Sequence, residues 1–279
     1  MKICRFMTKD GITRVGSLED DHVREIEGAD NVVLAASDSG RRFAGTHPLT
    51  DVQLLTPIPA PRKILGVGLN YLDHINEGLT ARKPPDFPVF FNKQVSSIVG
   101  PGDAIHLPLV SDQLDYEGEL GVVIGRECRH VPEKRASEVI AGYVIVNDVS
   151  VRDWQRKSPT ITLGKSFDTH CPVGPWLVTP DEIGNVRELQ IRTSLNGVLM
   201  QDFSTADMLF GVEKLIEVLT TCFTLEPGDI IATGTGQGVG IHRNPPRWMQ
   251  AGDIVRVEIT GVGILENPVI AEPETTAWR

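Results

Sequence analysis

The sequence predicts a β-rich α+β fold, and three observations carry that expectation. Short apolar, β-branched runs bounded by glycine or proline recur along the chain, as buried strands require. A Gly-Asp pair precedes an apolar pair three times, in Gly102-Asp103-Ala104-Ile105, Gly228-Asp229-Ile230-Ile231 and Gly252-Asp253-Ile254-Val255, each reading as a turn entering a strand. Against these stands one good helical pattern, Thr205–Leu219, whose Met208, Val212, Leu215, Ile216 and Leu219 share a face and whose cap is Ser204 or Thr205. No fixed-period repeat accompanies the three turns, so a solenoid or propeller is not expected.

Taken in order, the chain opens with a hairpin, Lys2–Phe6 and Ile12–Val15 around Lys9-Asp10-Gly11. Three prolines in Thr56–Pro61 block regular hydrogen bonding, so residues 1–56 read as a small N-terminal β-rich domain and 57–279 as the main one. Lys63–Leu69 is a buried strand that runs into the polar stretch Asn70–Glu77. Gly78–Phe87, with two prolines and three charges, reads as a surface loop that orders over a ligand. Strands follow at Pro88–Lys93, through Leu120–Gly125 and at Gly142–Asp148, with a short helix at Pro132–Ile140.

Length and charge narrow the function. The 279 residues suffice for one large core, or a large domain with a small one. A net charge of −10 excludes the basic phosphate-binding face of a nucleic-acid binder. Four scattered cysteines without a Cys-x-x-Cys pair fit a reducing, cytoplasmic setting, and neither a signal-peptide run nor a membrane-length apolar stretch is present.

Five stretches carry chemistry. In Asp115–Gly125, strand alternation sends Asp115, Glu117 and Glu119 to one face and Leu120, Val122 and Ile124 to the other. Like charges that close repel, and a hard divalent cation with oxygen ligands is the usual compensation; an acidic, solvated strand end is the plain alternative. Asp148 ends a buried strand, where folds usually display working groups, though on its own it reads as a turn-capping aspartate. Lys165, within Leu163–Pro172, belongs to no P-loop, because Pro159 stands where that motif needs glycine, and it reads as a surface lysine. Thr233–Gly240 alternates glycines after a strand but lacks dinucleotide-binding spacing. His74 and Glu77 share one helical turn, in which a carboxylate can orient an imidazole as general base.

In order and wording these stretches resemble the fumarylacetoacetate hydrolase family, which includes acylpyruvate hydrolases and oxaloacetate decarboxylases. The resemblance covers Pro61 to Val269 and is most specific in Tyr116–Leu120 and Leu163–Asp168. It implies a mixed β-sandwich roll, a homodimer, and Mg²⁺ or Mn²⁺ (with Ca²⁺ as a substitute) on Glu117, Glu119 and Asp148. It further implies His74 and Glu77 as a water-activating dyad on a lid, with Lys165 holding the water or the developing oxyanion. Arg152, Gln155 and Thr235 would contact a small 2-oxo acid substrate. The activity implied is hydrolysis of a carbon–carbon bond in an acylpyruvate such as fumarylpyruvate, of the kind used in aromatic-compound catabolism. Oxaloacetate decarboxylation, isomerisation of the 2-hydroxyhepta-2,4-diene-1,7-dioate type, or metal binding without turnover are the alternatives. Three positions depart from the family pattern: Gly236 replaces a frequent proline, Ile161 a frequent aromatic, and His170 an apolar or aromatic residue.

Overall fold

The computed structural model describes residues 1–77 and 83–274. Two open sheets face each other. The larger runs, in spatial order, Phe43–Pro48, His22–Ile26, Thr13–Glu19, Lys2–Met7, Cys171–Val178, Ile140–Asn147, Gly118–Ile124, Ile230–Ala232, Ile64–Gly68, Val89–Lys93. The smaller orders Val198–Ser204, Gln190–Leu195, Ile254–Ile259, Gly263–Ala271, Ile105–Leu107. Most pairings are antiparallel, but Ile230–Ala232 runs parallel to Ile64–Gly68, so the large sheet is mixed. The β-rich α+β expectation therefore holds.

Gly118–Ile124 is the central strand, buried along its whole length between Ile140–Asn147 and Ile230–Ala232. Its alternation divides the core. Leu120, Val122 and Ile124 join Ile191, Phe203, Val257 and Leu265 of the smaller sheet, while Val123 joins Val144, Val146, Leu177 and the N-terminal Ile3 and Val15. The N-terminal segment shares the large sheet, because Lys2 and Ile3 pair with Val178 and Leu177.

The long helix begins later than its apolar periodicity predicts, spanning Val212–Cys222. Ser204 does cap, but it caps a short 3₁₀ turn, Thr205–Asp207. Asn70 explains the break: its carboxamide oxygen accepts from Phe210 N at 2.9 Å, its amide donates to Phe210 O at 3.1 Å, and its carbonyl accepts from Leu209 N at 2.8 Å. These tertiary bonds hold Leu209 and Phe210 out of the helix. The segment read as a helix over Pro132–Ile140 is likewise 3₁₀, Glu133–Val139.

The three Gly-Asp turns share one construction. Each glycine has positive φ, and each aspartate accepts from the backbone amide three residues earlier: Asp103 from Gly100 at 2.7 Å, Asp229 from Glu226 at 2.8 Å, Asp253 from Gln250 at 2.8 Å. The fully buried Asp229 also accepts from Lys63 N and Lys63 Nζ, each at 2.9 Å, and so ties the strand Ile230–Ala232 to the start of Ile64–Gly68. Removing this acceptor leaves two backbone donors without a partner, at about 1–3 kcal/mol for each buried group, while Lys63 Nζ keeps Glu226 Oε2 at 2.9 Å. Asp229→Ala is expected to lose about 3 kcal/mol in equilibrium denaturation, with Asp229→Asn losing clearly less.

Candidate metal centre and active site

The carboxylates of Glu117, Glu119 and Asp148 offer oxygens that all lie within 4.8 Å of one another, and all three residues are buried. Glu117 precedes the central strand, Glu119 is its second residue, and Asp148 follows the neighbouring strand Ile140–Asn147. The Asp148 amide donates to Glu117 O at 2.8 Å, which locks the two segments together at the site.

Asp115 does not join this group, although strand alternation places it on the same face. The chain leaves the sheet between Leu114–Asp115 and Gly118–Ile124, so the parity is interrupted. Asp115 instead accepts from Arg152 Nε at 2.8 Å, from Gly240 N at 2.7 Å and from Ile241 N at 3.0 Å. Its charge fixes a cation and a loop.

Cations surround the triad. Lys165 is buried, not superficial, and its Nζ donates to Glu117 Oε2 and Asp148 Oδ2, both at 2.6 Å. Lys93 Nζ, also buried, donates to Asp148 Oδ1 at 2.6 Å and to the carbonyls of Val149 and Lys165. Arg152 Nη2 forms an ion pair with Glu117 Oε1 at 2.7 Å. Burial works against ionisation of Glu117, yet Lys165, Arg152 and His74 outweigh it and hold its carboxyl far below the usual range. Glu119 goes the other way: burial, then the charges of Asp148 and Glu117, push its carboxyl well above 4.5. Burial disfavours the Lys165 ammonium too, but Asp148 and Glu117 restore it and raise it overall.

These residues fit a hard divalent ion. All three donors are carboxylate oxygens, the set that Mg²⁺, Mn²⁺ and Ca²⁺ take. Glu119, whose carboxyl burial and its like-charged neighbours push up, is the group an entering cation would favour in its ionised form.

His74 lines the same cavity, of about 690 Å³, as Glu117, Glu119, Arg152, Gln155, Lys165 and Thr235. His74 lies in the short helix Leu72–Asn76, with Nδ1 2.6 Å from Glu77 Oε1. The other Glu77 oxygen accepts from Gly238 N at 2.6 Å, so the glycine-rich loop holds the carboxylate and the carboxylate holds the imidazole, leaving Nε2 for the cavity. Gln155 accepts from Arg152 Nη1 at 3.0 Å. The Thr235 hydroxyl donates to Gly118 O and accepts from Gln201, so its proton is already committed. Of the stretch read as a lid, residues 78–82 lie outside the described residues.

Local packing shows why the sequence builds this. A Cβ at Gly164 would stand 2.3 Å from Gln155 N, so only glycine lets the turn Thr162–Lys165 press against the helix Arg152–Gln155 and deliver Lys165 beside Glu117. At Gly236 a Cβ would lie 2.2 Å from the Phe203 ring, which fills the space a proline would need. Ile161 lines the cavity with φ +53°, a conformation β-branched residues rarely adopt. His170 lies outside this cavity; it is buried, its Nε2 is 2.8 Å from His106 O, and burial pulls it down to about 3, so it stays neutral.

Three contributors were not legible as site residues. Lys93 reads as the end of a strand, and only its parity with buried Phe91 hints that it points inward. Asn70 gave no signal in the sequence. His242 lines the cavity mouth with its ring 5.9 Å from that of His74, and burial lowers its pKa.

The model of the family described as fumarylacetoacetate (FAA) hydrolase, C-terminal, matches residues 63–270. The chain belongs to the fumarylacetoacetate hydrolase family. A second model, described as Rv2993c-like, N-terminal, matches residues 1–57. Among relatives, the mitochondrial oxaloacetate tautomerase fahd2 of Xenopus laevis is 43% identical over 247 residues, 88% of this chain and 76% of that protein. Two solved structures each superpose over 98% of this chain and 100% of theirs at 38% identity. They are 5-carboxymethyl-2-hydroxymuconate delta-isomerase from Mycobacterium smegmatis, TM-score 0.83, and the fumarylacetoacetate hydrolase of psychrophilic Exiguobacterium antarcticum, TM-score 0.84. The family is thus an enzyme family of tautomerases, isomerases and hydrolases. Among the described residues no helix is long and apolar enough to cross a membrane.

Two measurements follow from this geometry. Because the folded Glu119 carboxyl titrates above its ordinary 4.5, its contribution to stability falls as pH rises from that value toward the raised one, and a cation reverses the loss. Stabilisation by Mg²⁺, followed as a thermal shift, is therefore expected to grow with pH above about 4.5, with proton release on binding; Glu119→Gln abolishes both trends. Gly236→Pro is expected to destabilise the fold, and the loss combined with Phe203→Leu to fall short of the sum of the two single losses, by a double-mutant cycle.

Proposed function

We propose that this protein is a divalent-metal-dependent enzyme acting on 2-oxo acids through an enolate. The observation that carries the reading is that Glu117 and Glu119 of the carboxylate triad and His74, held by Glu77, line one cavity. An ion on Glu117, Glu119 and Asp148, Mg²⁺ or Mn²⁺ with Ca²⁺ as a substitute, would supply Lewis-acid polarisation of the 2-oxo acid group. His74 Nε2 removes a proton, with Glu77 fixing the ring and stabilising the imidazolium that forms. Lys165 and Arg152 face the oxygens on which charge develops, and Gln155 and Thr235 complete the substrate wall.

The first reaction we assign is proton transfer at the carbon next to the 2-oxo group: keto–enol tautomerisation of oxaloacetate or a related double-bond isomerisation. Kinship with an oxaloacetate tautomerase at 43% identity supports it, as does likeness to a delta-isomerase. The dyad supports a second reading, hydrolysis of an acylpyruvate such as fumarylpyruvate, because an imidazole held by a carboxylate deprotonates water equally well. In both, the working unit we propose is a homodimer.

Purified protein with Mg²⁺ or Mn²⁺, presented with enol-oxaloacetate and with acylpyruvates, separates the readings by ultraviolet absorbance. His74→Ala is expected to lower the active reaction by about 10²–10⁴-fold, roughly 3–5 kcal/mol, while metal affinity by calorimetry stays unchanged. Undiminished turnover in that variant removes His74 from the chemistry. Glu117→Gln and Asp148→Asn are expected to abolish metal-dependent activity with the fold retained; unaltered metal affinity in both overturns the ligand assignment.

A further inference from the structure

The cavity has a polarity profile that the triad and the base do not use up. Its deep end holds the buried carboxylates, Arg152 and Lys165. Its lining also includes the apolar Val67, Leu69, Val89, Phe91 and Ile161. Its mouth carries an exposed arginine, Arg156, one helical turn beyond Arg152 and on the same face.

The two arginines are held alike and charged differently. Gln113 serves both: its carbonyl accepts from Arg152 N at 3.0 Å, and its side-chain oxygen accepts from Arg156 Nη2 at 3.0 Å. Arg152 is then neutralised by Asp115 and Glu117. Arg156 is oriented by a neutral amide alone, and no carboxylate pairs with it among the described residues. A cation aimed by a neutral group keeps its charge for something else. On a chain of net charge −10, that places a local positive end on the mouth of the substrate cavity.

Building on the 2-oxo acid reading above, we infer that Arg156 is a specificity-determining residue that receives a second carboxylate, so that the preferred substrates are dicarboxylates. One acid group, with its 2-oxo neighbour, lies at the deep triad. The carbon chain runs along the apolar part of the lining, and the distal carboxylate meets the guanidinium, which makes no other side-chain hydrogen bond among the described residues. Arg156 touches no reacting atom, so it acts on binding more than on turnover.

The test uses the Mg²⁺-loaded protein and three non-reacting probes in calorimetry: oxalate, 2-oxopentanoate and 2-oxoglutarate. The last two share a five-carbon chain and differ in the distal carboxylate. Wild type is expected to bind 2-oxoglutarate about tenfold more tightly than 2-oxopentanoate, a preference that shrinks with added salt. Arg156→Gln should remove that preference and leave oxalate and 2-oxopentanoate within about twofold, with Arg156→Lys in between. As the side chain is exposed, the fold is not at stake. Equal affinities for the two five-carbon acids in wild type, an unchanged preference in Arg156→Gln, or an equal loss for all three probes each overturn the assignment to Arg156. Failure of oxalate itself to bind strikes the metal and 2-oxo acid reading instead, and takes this inference with it.

Discussion

Everything at the site depends on the balance of a buried charge cluster. Asp115, Glu117, Glu119 and Asp148 face Arg152, Lys93 and Lys165, with the seven side chains at or near full burial. Isolated charges of this kind cost several kcal/mol each to bury, and they persist only where opposite charges and hydrogen bonds compensate them. Four carboxylates against three cations leave one negative charge in excess, and burial with that excess pushes the Glu119 carboxyl up, toward the protonated form. A divalent ion in place of a proton there would tip the cluster to one positive charge, the sign that the anionic 2-oxo acid proposed above needs. Metal and proposed substrate would thereby be linked through electroneutrality, without any moving part.

The fold explains why so many charges converge. The central strand begins directly after Glu117 and carries Glu119 at its start, its neighbour Ile140–Asn147 is followed by Asp148, and the edge strand Val89–Lys93 ends in Lys93. The elements that bring the remaining groups are short turns held by close backbone approach, as at Gly164. Rigid strands thus set the ligands, while loops set the base and the substrate side chains, in keeping with where folds usually display working groups.

Much of this was legible in the sequence, for reasons that differ by residue. The strands announce themselves through apolar runs and Gly-Asp turns, which are local signals. Glu117, Glu119, Asp148, His74 and Lys165 were found because motif order and wording carry information that spacing lacks; by spacing alone Lys165 read as a surface residue, and the structure buries it. What stayed hidden is tertiary. Asp115 obeys strand parity on paper, but the chain turns before Gly118 and gives it to Arg152. The helix start at Thr205 obeys its apolar period, but Asn70, 140 residues away from Phe210 in sequence, claims that segment's backbone. Lys93 and His242 take their roles from neighbours that no local window contains.

Lys93 has a consequence of a different kind. Its ammonium and that of Lys165 occupy one Asp148 oxygen each, and their side chains are 0% and 3% exposed. Most other lysines, such as Lys9 and Lys83, stand in solvent at 82% and 80%. The amines that matter most to the site are therefore the ones an amine-directed reagent reaches last. Acylation of the folded protein decorates its surface and strips positive charge from it while leaving the fully buried Lys93 untouched, so modification at Lys93 becomes a chemical record of the large sheet having opened.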